Sequence, residues 1–408
     1  AEKYQTKDFS SYKIWLVGDP QVGASGSEGQ GTIDDVNIAV DTYNWNKTLE
    51  MAKKKDGDAS FVLSVGDQID YAAADTKNVR ESEYAGFLYP SVLRNLPLAS
   101  SIGNHESKGT DYKYHYNNPN TEDNLGATNS GSDYYFSYGD VLYIVLNSNN
   151  RNAAEHSKLM EKAIKSAPNA KWKVVAFHHD IYGSGQPHSD FDGANLRTIF
   201  APLMDKYDID VCLTGHDHSY ARTYQIIDGT AIEYGQDSAT NPEGTLYIAA
   251  GSASGSKFYN LATQKQYYIA ERSNNQLPTY STIDFSDQAF TIKTFDYTGA
   301  EYAKPFTIKK ESQKDSAQQL IKKAEGLSSS VYSEDSLKKV DDAMKVLKEI
   351  VASTSKDKGA EKLSVLYDKT NNADNAKDPL NYYGYAQGEF ASKIGDTTTT
   401  TLRAGFSS

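Results

Sequence analysis

Two histidines one residue apart, His216 and His218, follow a short apolar run, Ile209-Asp210-Val211-Cys212-Leu213, and the glycine Gly215. On an extended chain residues two apart point to one side, so both imidazoles are expected to face the same volume. Asp217 would then turn away, free to orient a ring from behind. Four other apolar runs end in residues of the same kind. Asp19 follows the run at 12–17, Asp67 that at 60–65, Asn104 and His105 that at 98–102, and His178 and His179 that at 173–177. Carboxylate, amide and imidazole donors without thiolate suit Mn, Zn, Fe or Mg. A carboxylate can bridge two cations, and cations about 3.5–4 Å apart form a clamp for in-line displacement at phosphorus. His156 stands apart from these motifs on a predicted polar helix.

The elements that must position these residues alternate. Strands are expected at 12–17, 60–65, 98–102, 173–177 and 209–213, and helices at 33–55, 84–93, 153–166 and 196–207. Tyr134–Tyr138 and Val141–Leu146 flank Gly139-Asp140, a hairpin signal. Residues 245–310 are strand-rich, at 245–249, 280–285, 290–295 and 305–309. Strands alternating with helices and then closing in strands imply a mixed α/β sandwich. In such sheets ligands collect at the carboxyl ends of the strands. The loop from Gly23 to Gly31 lacks the Gly-Lys-Ser/Thr of a phosphate-binding P-loop and is expected to form a mobile rim of the site.

Taken in order, Gly-Asp at 18–19, Gly-Asp at 66–67, Gly-Asn-His-Glu at 103–106, Val-x-x-His at 175–178 and Gly-His-x-His at 215–218 resemble the calcineurin-like metallophosphoesterase superfamily. Gly-Asn-His-Glu, Val-x-x-His and the ending in Tyr220 are similar to its purple acid phosphatase branch. The resemblance covers residues 12–310 and implies a four-layer α/β/β/α sandwich with two divalent or mixed-valence ions, Fe, Zn or Mn. It implies that Asp67 bridges them, that Asp19 and His218 hold the first, and that Asn104, His178 and His216 hold the second. Metal-bound hydroxide would attack phosphorus. His105 would contact the phosphoryl oxygens or protonate the leaving oxygen, and His188 would lie over the substrate. His179 is either substrate-facing or an ordinary loop residue. The branch carries a tyrosine three residues after the bridging aspartate, where this chain has Asp70, with Tyr71 one residue late. Other branches use Asp-x-His where this chain reads Asp19-Pro20-Gln21, so Gln21, Asp70 and Tyr71 all stand as ways to complete the first site.

The expected activity is hydrolysis of a small phosphate ester, a monoester before a diester. The alternative from another class is a surface binding protein with a structural metal site. At 408 residues two domains are expected, and a net charge of −12 argues against a nucleic-acid duplex as partner. No run is long enough to span a membrane. The single cysteine, Cys212, excludes intrachain disulfides and cysteine-based zinc sites. A chain opening at Ala1 with so little cysteine reads as an exported bacterial protein, secreted or at the cell surface.

A catalytic domain is expected over 1–310, a helical module over 311–376 and a tail of unassigned structure over 377–408. In the module Leu337, Val340, Met344, Leu347 and Val351 form one apolar stripe, with Ser333 as N-cap and Tyr332 stapled onto Leu337. Flanking helices are expected at 314–327 and 358–368. The stretch Tyr332 to Leu337 resembles FIVAR-type repeats, which implies an attachment or spacer role at the cell surface.

Overall fold

Alternate residues of the first strand, β1 (Ser11–Val17), enter two different cores in the computed structural model of this chain. Ile14 and Leu16 pack into one, and Trp15 and Val17 into the other. This is the period of two expected of a strand covered on both faces, and each large side chain so buried contributes about 1.5–3 kcal/mol. The structure describes residues 9–25, 35–57, 59–70, 77–186, 188–189, 191–311, 313–326 and 334–352. The chain divides into two compact units, Ala1–Lys309 and Lys310–Ser408.

In the first unit β1 is followed by α1 (Asp35–Asp56), β2 (Val62–Ser64), α2 (Lys77–Phe87), β3 (Leu98–Ser100) and the single turn α3 (Tyr112–His115). Next come β4 (Tyr134–Tyr138), β5 (Val141–Val145), α4 (Ala153–Ser166), β6 (Trp172–Ala176), α5 (Asp192–Lys206) and β7 (Val211–Thr214). Strands complete the unit: β8 (Tyr220–Ile227), β9 (Thr230–Ile232), β10 (Ser238–Thr240), β11 (Thr245–Ala249), β12 (Ile269–Ser273), β13 (Thr279–Ser286), β14 (Ala289–Asp296) and β15 (Glu301–Lys309).

Two sheets result. One runs β10-β15-β14-β13-β1-β2-β3, and the other β12-β8-β11-β7-β6-β5-β4, with β9 paired to β8. Between them lie Ile14, Leu63 and Ile283 of the first sheet and Tyr143, Val174 and Leu213 of the second. Trp45, Leu49 and Ala52 of α1 cover the outer face of the first sheet. Leu159 and Met160 of α4, with Phe200 and Met204 of α5, cover the outer face of the second, where Cys212 is buried as a free thiol. The layers are therefore α/β/β/α. Gly139 takes a φ of +58° in the β4–β5 turn, whose last paired residues are Tyr138 and Val141.

Two expectations need correction here. The helix expected at 84–93 lies earlier, ending at Phe87, and Ser91–Arg94 is a 3-10 turn. Pro90 accounts for the break, since it lacks an N–H and restricts the residue before it. Strand β8 was not expected, because buried Arg222, Thr223 and Gln225 interrupt its apolar pattern.

In the second unit α6 (Gln313–Glu325) and α7 (Glu334–Ala352) share a core of Ala317, Ala343 and Leu347, with Met344 and Val351 packed against it. The expected helix at 358–368, the tail, Tyr71, Tyr332, Ser333 and most of the loop to Gly31 lie outside the described residues. Among the described residues no helix is long and apolar enough to cross a membrane.

Candidate metal centre

Strands β1, β2 and β3 are parallel, as are β5, β6, β7 and β11, so their carboxyl ends gather along one edge of the sandwich. Asp19, Asp67, Asn104, His178, His216 and His218 all follow such ends. A parallel bridge between Gly18 and Ser252 and the bond from Gly215 N–H to His178 O tie the loops together. The backbone there is strained. Asp19, Gln21, Asp67, His216 and His218 have φ of +43°, +34°, +48°, +72° and +50°. Each non-glycine residue so held costs on the order of 1–3 kcal/mol, a pattern that collects at functional sites. His216 and His218 therefore do not reach the site by strand alternation. β7 ends at Thr214, and a tight bend closed by Asp217 N–H on Gly215 O turns both rings inward.

Two side chains behind the ligands set these loops. Glu106 is buried and accepts four backbone N–H groups: Gly103 at 2.7 Å, Asp67 at 3.0 Å, Gln68 at 2.7 Å and Ile69 at 3.2 Å. Gly103 must be glycine, because a Cβ there would overlap Asp67 Oδ1 and the Asp67 amide. Asp217 faces away from the metal loops. It accepts Ser184 N–H at 3.1 Å, Gly185 N–H at 2.7 Å and Ser189 Oγ–H at 2.5 Å, anchoring the loop that carries His188 rather than orienting a ligand ring.

The donors form two groups that share a member. Ligand atoms of Asp67, His178 and His216 lie within 4.8 Å of one another, as do those of Asp19, Asp67 and His218. His178 donates Nδ1–H to Val65 O at 2.9 Å, which turns Nε2 towards Asn104 Oδ1 at 2.8 Å, His216 Nδ1 at 3.1 Å and Asp67 Oδ2 at 3.2 Å. These atoms close on one buried volume, an arrangement that could hold a cation. His218 donates Nδ1–H to Lys257 O at 2.9 Å, leaving Nε2 towards Asp19 Oδ1 at 3.7 Å. The residues present thus fit two metal ions joined by Asp67.

Charge follows burial. Burial holds His216 well below the usual imidazole range and His218 at about 3, which keeps both lone pairs free for a cation. Burial would lower His178 too, but Asp67 and Asp19 raise it to about 9. Burial lifts the Asp19 carboxyl, with Asp67 adding to the rise. Asp67 is pushed up by burial but pulled well below its ordinary value by His178, His105 and His216.

Around these groups, His105 donates Nδ1–H to Asp70 O, and its Nε2 lies 3.1 Å from Gln21 Nε2 and 3.9 Å from Asp67 Oδ2. His188 stacks on His216 at 3.9 Å between ring centroids and donates Nδ1–H to His216 O at 3.1 Å. His179 is buried, bonded to Ser148 Oγ at 2.7 Å, and its ring lies 4.8 Å from that of His216; burial keeps it neutral, at about 3. Sequence reasoning missed Tyr259, whose ring packs at 4.5 Å on His188 and 5.2 Å on His218. It lies in a loop with no motif, so nothing in the sequence marked it.

A family model for calcineurin-like phosphoesterases matches residues 12–220. The chain is 24% identical over 333 residues to a purple acid phosphatase of Glycine max, covering 74% of this chain and 66% of that one. It is 26% identical over 267 residues to the Fe(3+)-Zn(2+) purple acid phosphatase 12 of Arabidopsis thaliana, covering 60% of this chain and 55% of that one. It thus spans less than two thirds of the length of these relatives. In fold it is similar to a purple acid phosphatase from yellow lupin seeds, with a TM-score of 0.55, 17% identity, and coverage of 74% of this chain and 54% of that one. With the matched segment running from β1 through the His216–His218 bend and ending at Tyr220, the chain belongs to the calcineurin-like phosphoesterase family.

Proposed function

We propose that this chain hydrolyses small phosphate esters, monoesters in preference to diesters, at a dimetal centre. The observation that carries this reading is the sharing of Asp67 between two donor groups, one with Asp19 and His218 and one with His178 and His216. When bound, two ions would supply Lewis-acid stabilisation of charge developing on the phosphoryl group and would acidify a water molecule. Asp67 would hold both ions, Asp19 and His218 the first, and Asn104, His178 and His216 the second. Their identity we assign to the set Mn, Zn and Fe, which carboxylate, amide and imidazole donors suit.

The remaining side chains handle substrate. With Nδ1–H committed to Asp70 O, His105 can carry a proton only at Nε2, the atom that faces Asp67. That places it to protonate the leaving oxygen. His188 is held by its bond to His216 O and its stacking on that ring, with Nε2 left to meet the substrate. Tyr259 closes the same side.

The resemblance of residues 332–337 to attachment repeats and the scarcity of cysteine support a secreted or cell-surface location, with the helical unit as a spacer. The test is hydrolysis of a matched aryl phosphomonoester and diester by protein reconstituted with Mn, Zn or Fe. Metal-dependent turnover favouring the monoester is expected. Two bound ions with no turnover of either ester would refute the reading.

A further inference from the structure

A groove of about 680 Å³ runs between α1, the loop after β11, the start of β13 and the β14–β15 turn, and no residue of the metal centre lines it. That volume is ordinary for a small-ligand site. On α1 the lining residues Tyr43, Lys47, Met51 and Lys54 recur at steps of four, four and three, so one face of the helix forms a wall. The opposite face carries Trp45, Leu49 and Ala52 into the core. Facing Tyr43 and Met51 across the groove are Phe258, Pro278 and Tyr297.

The groove is held open by bonds of its own. Asp296 Oδ1 accepts Thr298 N–H at 2.8 Å, Thr298 Oγ1–H at 2.6 Å and Ala300 N–H at 3.2 Å, which fixes the turn that carries Tyr297. Tyr297 N–H donates to Pro278 O at 2.9 Å, and Lys55 Nζ ties the turn to α1 through Gly299 O at 2.7 Å. Gly255 must be glycine, because its φ is +71° and a Cβ there would fall 2.8 Å from Pro278 Cγ. On this fixed frame Tyr43 and Tyr297 remain 61% and 41% exposed.

The polar groups of the groove say what would cover those rings. Asn44 and Gln276 line it, and their side-chain amides have no hydrogen-bond partner among the described residues. Glu50, the acid of the lining, is taken by Lys47 at 2.8 Å and Asn46 at 2.9 Å. Lys54 has no partner among the described residues, so the groove carries a net positive charge on a chain of net charge −12. A sugar ring presents C–H groups on its face and hydroxyls at its edge, which aromatic rings and side-chain amides complement. A peptide strand would need a free sheet edge, whereas β13 and β14 are paired on both sides. We propose that this groove binds an acidic oligosaccharide, with sugar rings on Tyr43 and Tyr297, hydroxyls on Asn44 and Gln276, and a carboxylate at Lys54.

The experiment is isothermal titration calorimetry of the full-length protein. The probes are galacturonate and hyaluronan hexamers, their methyl esters as uncharged matches, and hexaglutamate as an acidic peptide. At least one acidic hexamer is expected to bind, at one site per chain. Tyr43→Ala and Tyr297→Ala should each weaken it about tenfold, the loss of one ring contact. Lys54→Gln should weaken it by up to about fivefold at low salt, an effect that fades as salt rises and is absent with the methyl ester. All three side chains are exposed, so the variants should keep the native urea unfolding curve. No binding of either acidic hexamer would overturn the proposal. So would binding that both tyrosine variants leave unchanged, since the sugar would then sit elsewhere. Hexaglutamate bound as tightly as the sugar would overturn it as well, because charge alone would explain the site. A methyl ester as tight as its acid would overturn the part given to Lys54. None of these probes is a phosphate ester, so each outcome is separate from the hydrolytic reading.

Discussion

His156 sits at the back of the site loops, fully buried, with both ring nitrogens facing acceptors. Nδ1 lies 2.7 Å from Asp133 Oδ2 and Nε2 lies 2.9 Å from Asn150 O. Burial pulls the partners in opposite senses. It would lower His156, but Asp133 raises that ring above its ordinary 6.5, whereas the Asp133 carboxyl stays raised by burial despite His156. With Asp133 ionised, the ring meets both acceptors by carrying both protons, as a buried ion pair. Asp133 Oδ1 also accepts Asn147 N–H at 2.7 Å, and Asn147 Oδ1 accepts from Asn149, whose amide donates to Gly103 O at 3.2 Å. Loss of His156 therefore leaves an uncompensated carboxylate two steps from the Asn104 loop. Breaking a buried pair by removing one partner costs about 3–5 kcal/mol, so His156→Gln should lose that much at pH 6. A histidine whose folded value is raised contributes fully below 6.5 and loses its contribution as pH rises through the folded value. The gap between native and variant should thus be widest near pH 6 and narrow on the alkaline side. Urea unfolding of both proteins across that range measures it. A gap under about 1 kcal/mol at pH 6, within the range of an ordinary surface change, or one independent of pH, would refute the ion pair.

Further predictions concern the site itself. Asp67→Asn should loosen both ions and abolish turnover, as measured by metal content and aryl phosphate hydrolysis, because Asp67 belongs to both donor groups. His105→Ala should slow hydrolysis by about 10²–10⁴-fold while metal content is unchanged, the loss expected of a proton donor. Gly103→Ala should lose metal, read by elemental analysis of the purified variant, since its Cβ would displace the Asp67 side chain and amide. Asp217→Ala should raise KM more than it lowers kcat, with both ions retained, because it frees the loop bearing His188 rather than a ligand.

The four-layer fold was legible because the strands that end in site residues are short apolar runs, most of them stopped by a glycine (Gly18, Gly66, Gly103 and Gly215). β1, β2, β6 and β7 are buried on both faces, so their apolar character is continuous and easy to mark. β8 was not legible, because Arg222 and Gln225 are buried there and Arg222 lies over the Phe306 ring. The approach of Asp19, Asp67 and the histidines could be anticipated from their places at strand ends. The way His216 and His218 turn could not, since two left-handed residues in a bend have no periodic signature. Gln21 was marked in the first motif as a candidate ligand, but its hydrogen bond to Asp70, forty-nine positions away, has no signature in the sequence.

The most direct test of the central claim is a crystal structure of the metal-loaded protein with anomalous data collected at the edge of the loaded metal. Two anomalous peaks are expected with an Asp67 oxygen bridging them, one beside Asp19 and His218 and the other beside Asn104, His178 and His216. A single peak, or two peaks with Asp67 bound to only one of them, would contradict it.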